Sequence, residues 1–192
     1  MRTAYQRSLA LLVMLPLWSG SIAAQTCFRG HPRPRCAGFM VLEFTGAMRL
    51  NSKAGPTDKA NAYLYWSTGY LHNTGVRTSL GAGVKLTADS DGSRFAIVGR
   101  YRHWLSARTS IDLAPGIFIS GKDNFTVLRF PSPTADVALN LGDRVGLAVG
   151  VDGIRTPGAG TSWQSHAGVR FGTWLAPLAT LGLGVLIGAT WN

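Results

Sequence analysis

The sequence predicts an all-β protein, built as an antiparallel up-and-down barrel. Three observations lead to this prediction: apolar and polar residues alternate along most of the chain, short groups of turn residues separate the alternating segments, and 24 of the 192 residues are glycine while only 15% are charged. Alternation with a period of two places successive side chains on opposite faces of a strand. Many glycines and few charges favour tight turns and close backbone contacts over a helical bundle.

Residues 1–24 are typical of a secretory signal peptide. Arg2 and Arg7 precede an apolar run over residues 9–18, and small residues follow at 23–24. A charged start, a short apolar middle and a small-residue cleavage site are the three parts of an export signal. A retained membrane anchor is the alternative, but the apolar run is too short to span a bilayer comfortably. We therefore expect this segment to be cleaved and the mature protein to leave the cytoplasm.

Residues 25–37 form a basic segment before the first strand. Cys27 and Cys36 enclose a loop that contains three arginines and His31. Two closely spaced cysteines in an exported protein predict a disulfide, because the compartment is oxidising. A metal site built from both thiols and His31 is the alternative, but it lacks a fourth ligand and the arginines would repel the cation. We expect no metal and no cofactor.

The net charge restricts the partners. Removal of residues 1–24 lowers it from +10 to +8. The chain has no basic helix and no aromatic RNA-binding motif, so a nucleic acid partner is not expected. A basic exported protein instead meets acidic lipid headgroups and polyanionic saccharides such as lipopolysaccharide.

Nine segments between residues 38 and 192 alternate clearly. The best defined pair forms a hairpin from Ala60 to Leu86, in which His72 to Gly75 make the turn. The other seven segments span residues 38–50, 94–105, 109–120, 134–141, 144–152, 163–174 and 178–191. Residues 125–130 are left open as a further short strand. A closed bacterial barrel needs an even number of strands, so eight and ten both fit, and eight is preferred.

Two of these segments contain features that are unusual for a strand. Pro115 has no N–H donor, so a bulge or a broken ladder bond is expected beside it. The uncharged stretch 171–192 is long enough for a transmembrane helix. Its period-two alternation favours a strand instead, as do its glycines, each of which costs a helix roughly 1 kcal/mol relative to alanine.

Connections between the predicted strands alternate in length. Those at residues 72–75, 106–108, 142–143 and 175–177 are short, and the others, at 51–59, 87–93, 121–133 and 153–161, are longer. Short periplasmic turns and longer external loops are typical of barrels that span an outer membrane. The longer loops are candidates for adhesion or ligand capture.

The position of the charges predicts which way the strands face. One face of nearly every strand is apolar, and the other mixes glycine, small polar residues and charge. Such charges would make a poor core for a soluble barrel, whereas in a membrane the apolar face contacts lipid and the charges line the lumen. The predicted lumen charge network consists of Glu43, Arg77, Lys85, Arg100, Arg102, Asp112, Asp136, Asp152 and Arg170, and Arg49 and Arg94 lie on the same charged face. Arg102 and Asp112 flank a short turn and are expected to lie opposite each other.

Aromatic residues near the strand ends predict interfacial girdles. The girdle residues are Trp66, Tyr70, Tyr101, Trp163 and Trp191. Trp104 and Trp174 lie on the other face of their strands, which predicts a bulge or an inward-facing ring at each.

In its signal peptide, alternating strands and sequence of short and long connections, the chain resembles the small bacterial outer-membrane β-barrel proteins, such as the OmpA transmembrane domain and OmpX-like proteins, across residues 38–192. The resemblance implies a location in the bacterial outer membrane, contact with membrane lipid, insertion by the barrel-insertion machinery, and a monomeric transmembrane barrel after a cleaved signal peptide.

The expected function is structural or one of surface interaction, because the lumen of a small barrel is filled by its own side chains and buried charges there pair with one another. A narrow pore that prefers anions is one alternative, since bases outnumber acids on the charged face. An outer-membrane lipid-modifying enzyme is another. Catalysis is not expected, because the adjacent Ser165 and His166 point to opposite faces of a strand and no GxSxG motif occurs.

Overall fold

A computed structural model describes residues 37–51, 62–89, 92–123, 126–127, 130–142, 144–156, 160–173 and 175–181. The strands are β1 (Gly38–Arg49), β2 (Ala62–Asn73), β3 (Thr78–Asp89), β4 (Gly92–Trp104), β5 (Thr109–Asp123), β6 (Thr126–Val127), β7 (Ser132–Leu141), β8 (Val145–Thr156) and β9 (Gly160–Gly172). A helix, α1, covers residues 175–181. The predicted signal peptide, the predicted Cys27–Cys36 disulfide, Trp174 and Trp191 lie outside the described residues.

Eight long strands close into an antiparallel barrel. Each long strand pairs with the next long strand along the chain, so that β5 pairs with β7, and β9 returns to pair with β1. β6 pairs only with the end of β5 and is not part of the wall. The prediction of a closed up-and-down barrel with eight strands is therefore confirmed.

The strand register tilts the wall relative to the barrel axis. Gly38 of β1 pairs with a residue of β2, which pairs with a residue of β3, and so on around the wall. This path returns to β1 at Met48, so the register is staggered by ten residues over one circuit. In an eight-stranded barrel this stagger corresponds to a tilt of about 40–45°. At that tilt a strand of 12 residues covers about 30 Å along the axis, which is close to the hydrocarbon thickness of a bilayer.

Alternating residues face the lumen and the outside. On β4 the inward set is buried, from Arg94 through Arg100 to Trp104, while Ile97 between them is exposed. The same holds around the wall, and the outward set is dominated by exposed aliphatic side chains such as Leu80 and Leu147. Apolar side chains thus cover the outside and ionised side chains lie within.

The strand predicted over residues 178–191 is wrong in its described part, because residues 175–181 form α1. β9 has already closed the wall on β1, so no position remains for another strand. The alternative of a helix over residues 171–192 is also wrong at its start, since β9 extends to Gly172. Within the part of the chain that the structure describes, no helix has the length and apolar character needed to cross a membrane.

α1 lies against the outer surface of the barrel. The indole nitrogen of Trp66 donates a hydrogen bond of 2.8 Å to Thr180 of this helix. Phe44, although it points outward, is only 4% exposed, and its ring centroid lies 5.2 Å from that of Trp66 and 6.5 Å from that of Phe171. The helix therefore docks beside an aromatic patch on β1, β2 and β9.

Two connections predicted to be long are short. β3 continues to Asp89 and β4 begins at Gly92, where the two residues pair, and the ladder between β8 and β9 extends to Thr156 and Gly160. Only residues 90–91 and 157–159 are left as connections. The polar residues Thr87 and Asp89 belong to β3 and face inward, where Thr87 is buried and Asp89 is held by two arginines.

The two ends of the barrel differ in their connections. The turn end carries the connections at residues 74–77, 105–108 and 142–144, and the loop end carries those at 50–61, 90–91, 124–131 and 157–159. The predicted short connection at 175–177 belongs to α1 instead.

The ladder between β4 and β5 is broken beside Pro115, as the missing N–H predicts. Paired residues run to Val98 and Gly116 and resume only at Tyr101 and Leu113. A register shift lies further along, between Phe95 and Ala96 of β4.

Candidate functional site

Three groups of charged and hydrogen-bonding side chains fill the lumen. We call them the arginine group (Glu43, Arg100, Arg102, Asp112 and Arg170), the lysine group (Lys85, Asp136, Asp152 and His166) and the rim group (Arg49, Asp89 and Arg94), by their ion pairs. An apolar cluster of Phe39, Val41, Leu71 and Trp104 lies beyond the arginine group at the turn end. A second cluster of Ala96, Val98, Phe118 and Ile154 lies toward the loop end.

The arginine group is built around a two-pronged ion pair. Nε and Nη2 of Arg102 each donate a hydrogen bond of 2.7 Å to Asp112, the residue directly opposite on β5. Nη2 of Arg100 donates to Oε2 of Glu43 at 2.5 Å. The planar guanidinium matches the geometry of a carboxylate, so these are strong charge-assisted bonds.

Arg170 is held much more loosely than its neighbours. Its Nη1 lies 3.4 Å from the nearest oxygens of both Glu43 and Asp112, and its Nη2 lies 3.5 Å from the hydroxyl of Tyr65. Its Nε is buried and has no hydrogen-bond partner among the described residues. Three arginines face two carboxylates here, so the group carries one surplus positive charge.

The lysine group has the opposite balance. Nζ of Lys85 donates to Asp136 at 2.7 Å and to Thr134 at 3.1 Å, and it lies 3.6 Å from Asp152. Asp152 also accepts hydrogen bonds from Tyr63 and, at 2.6 Å, from Thr134. Two carboxylates therefore share a single lysine, and neutral hydroxyls supply the other donors.

Aromatic rings and one imidazole enclose Lys85 and Asp136. Nζ of Lys85 lies 4.6 Å from the ring centroid of Tyr65, within the range of a cation–π contact. His166 approaches Asp136 with Nε2 at 3.0 Å and stacks on Tyr63 with ring centroids 4.2 Å apart. Gly150 leaves the space for this contact, since a Cβ there would lie 2.7 Å from Cε1 of His166.

The rim group ties the loop end of the barrel together. Asp89 accepts from Arg49 at 2.5 Å, from Arg94, and from the backbone N–H of Gly92 at 2.9 Å. The guanidinium of Arg94 also lies 5.6 Å from the ring centroid of Phe118. One carboxylate of β3 thus holds the side chains of residues on β1 and β4 and the backbone N–H at the start of β4.

Most of the charged residues singled out in the sequence lie in the lumen. Glu43, Lys85, Arg100, Arg102, Asp112, Asp136, Asp152 and Arg170 are all buried there. Arg77 is a correction: it precedes β3 at the turn end and is exposed, because the wall begins only at Thr78.

Sequence reasoning missed two members of the network. Asp89 fell in a stretch interpreted as a loop. If β3 is continued through it, alternation places Asp89 on the same inward face as Lys85. His166 was considered only as a catalytic partner of Ser165. It lies an even number of residues from Arg170 on β9, however, so the two side chains point to the same inward face.

The aromatic residues occupy three environments. Tyr70 and Trp163 are exposed on the outer surface, and Tyr101 is half-buried there. Trp66 is bonded to α1. Trp104 points inward, as its parity predicts, with its ring centroid 5.8 Å from that of Phe39.

Among the described residues, no group of three or more His, Cys, Asp or Glu side chains could hold a metal ion. The ionised side chains pair with one another across the lumen, and the largest of them are almost wholly buried. This arrangement can rigidify the barrel and block its interior.

No protein-family model matches the chain, and no curated protein sequence matches it. One solved structure with a similar arrangement comes from work on the de novo design of transmembrane β-barrels. The alignment has 13% sequence identity and a TM-score of 0.40, and it covers 73% of this chain and 99% of the designed one.

Proposed function

We propose that this protein is an outer-membrane barrel whose lumen is closed by its own ion pairs, and that its role is structural or one of surface interaction. The observation that carries the proposal is the inverted distribution of polarity. Outward-facing Leu147 is 61% exposed and Val149 is 51% exposed, whereas Lys85 in the lumen is 1% exposed.

Inverted polarity supports insertion in a bilayer. An exterior of this kind exposes a continuous apolar surface to water, which is unfavourable for a soluble monomer. In hydrocarbon the same surface is well solvated, and neighbouring strands of a closed barrel satisfy one another's backbone hydrogen bonds. Bacterial barrels of this type span the outer membrane, which agrees with the export signal expected in residues 1–24 and with lipid and the insertion machinery as partners of a monomeric barrel.

The packing of the lumen supports a closed barrel over an anion pore. Arg94, Tyr63, Tyr65, Lys85 and Phe118 are among the largest side chains that are fully buried, and they lie across the interior. The three groups also combine six permanent cations with five carboxylates, so the lumen lacks the strong positive excess that would select anions.

Two measurements test the proposal. The full chain is refolded in detergent for the first and reconstituted in planar bilayers for the second. We expect the unheated protein to migrate differently from the boiled protein on a denaturing gel, since a folded membrane barrel resists detergent until heated. We expect planar bilayers that contain it to stay silent under conditions in which a general porin conducts. A band that heating does not move would contradict membrane insertion, and reproducible single-channel steps would contradict the closed lumen.

A further inference from the structure

β9 leaves the barrel wall before it reaches the first residues of its neighbour, β1. Gly172 pairs with Glu43, and the chain then turns out of the wall at Thr173, which has a φ of 53°. The first residues of β1, at the turn end, therefore have no described strand beside them on that side. A cleft opens in the wall at this point, and its lining includes Met40, Glu43, Asn140, Arg144, Arg170 and Thr173.

The backbone of β1 presents polar groups to this cleft. The N–H of Thr173 donates to the carbonyl of Leu42 at 2.9 Å, so the even-numbered residues of β1 direct their backbone groups toward β9. In an antiparallel strand the N–H and C=O of one residue point to the same side. Met40, two residues before Leu42, therefore turns its N–H and C=O into the cleft, where no described strand pairs with it. An exposed strand edge of this kind needs a hydrogen-bonding partner.

Two arginines reach the cleft from opposite sides. Arg144 is exposed at the turn between β7 and β8. Arg170 lines the cleft from the lumen, has a buried Nε without a described partner, and belongs to the group with one surplus positive charge. Glu43 also lines the cleft, but its carboxylate is engaged by Arg100 at 2.5 Å. A buried cation without full compensation is costly, so an anion at this position would stabilise it.

The outer border of the cleft is apolar. Met40 and Val145 line it, and both are exposed on the outer surface of the barrel. A ligand that fits this border has an anionic end and a hydrocarbon end. The short connections place the cleft on the periplasmic side, at the level of the inner-leaflet headgroups.

We infer that this cleft binds an anionic phospholipid, with its phosphodiester between Arg144 and Arg170 and its acyl chains along Met40 and Val145. The inference rests on the proposed membrane location. Arg144 supplies the exposed charge, Arg170 supplies the donor that the lumen leaves unused, and the N–H of Met40 supplies a backbone donor.

Native mass spectrometry of the refolded full chain tests this inference. The probes are phosphatidylglycerol and phosphatidylcholine with identical acyl chains, each titrated into the detergent-solubilised protein. We expect one phosphatidylglycerol to be retained with an affinity about tenfold above that for phosphatidylcholine. Both lipids carry the phosphodiester, but the choline ammonium of phosphatidylcholine offsets its charge and is repelled by the two arginines. Arg144→Gln should remove this preference.

Arg77→Gln is the matched control, because Arg77 is exposed at the same end of the barrel but does not line the cleft. This variant should keep the preference. Equal retention of the two lipids, or an equal loss in both variants, would overturn the inference. So would full competition by inorganic phosphate at concentrations similar to those of the lipid, since the site would then hold a free anion. Heat-modifiable migration is measured on the same samples, so that a barrel that inserts but shows no lipid preference leaves the proposed function intact.

Discussion

Inside the barrel, the arginine group sets three cations against two carboxylates, whereas the lysine group sets two carboxylates against one permanent cation, Lys85. In the arginine group, the two best-placed guanidiniums each hold a carboxylate, at 2.7 Å and 2.5 Å, and Arg170 is left at 3.4 Å from both acids. In the lysine group, one ammonium serves both acids, with hydroxyls and an aromatic face around it.

This difference shows where each group is vulnerable. The planar fork of arginine satisfies a carboxylate by itself, so the arginine group has a spare cation. The lysine group has no spare cation, because its two acids share Lys85 as their permanent cation. The two groups should therefore respond very differently to the loss of one positive charge.

The largest effect is expected for Lys85→Met. The substitution leaves Asp136 and Asp152 buried without a permanent cation, and breaking a buried ion pair costs about 3–5 kcal/mol. Urea unfolding of the refolded barrel, followed by tryptophan fluorescence and by gel migration, would measure the loss. Lys85→Arg is the control, since it retains the charge and should recover part of the stability. A loss below about 1 kcal/mol for Lys85→Met would contradict the role of Lys85 as the sole counter-ion.

An intermediate effect is expected for Gly150→Ala. The added methyl group would press on His166 and Asp136, and overpacking of this kind costs about 1–3 kcal/mol. Gly46→Ala provides the comparison, because a Cβ there would meet only a side-chain carbon of Leu64 at 4.0 Å. The same urea titration should separate the two variants, and equal stabilities would show that the contact between His166 and Asp136 does not depend on this space.

The smallest effect is expected for Arg170→Met. Removal of this side chain leaves the arginine group with two cations and two carboxylates and breaks only contacts of 3.4–3.5 Å. We expect a change in unfolding free energy of less than about 1 kcal/mol, since a charge that is incompletely paired contributes little net stability. A loss as large as that for Lys85→Met would remove the distinction between the two groups.

The sequence was sufficient for the wall of the barrel because alternation and turn residues are local signals. Residues 38–50, for example, show the pattern that became β1. The described start of the segment at 178–191 misled the interpretation, because residues 178–181 continue a helix, α1, that begins at residue 175 in a predicted connection. This outcome depended on β9 closing on β1, which is a long-range event.

The network was predictable only where pairing is local. Arg102 and Asp112 flank a short turn, so their opposition follows from the register of one hairpin. Lys85 and Asp136 lie 51 residues apart in the chain, and their contact depends on barrel closure and strand tilt. Parity indicates that both face inward, but it does not indicate which acid meets which base.

The central claim is that this barrel carries its apolar side chains outside and its charges within. Nitroxide labels placed one at a time at Leu147, Ala148 and Val149 of the reconstituted protein test it most directly, because these neighbours on β8 alternate between the two faces. We predict frequent collisions with dissolved oxygen and few with a water-soluble nickel complex at Leu147 and Val149, and few collisions with either reagent at Ala148. Labels at Leu147 and Val149 that are shielded from oxygen, with a label at Ala148 that is accessible to it, would contradict the account.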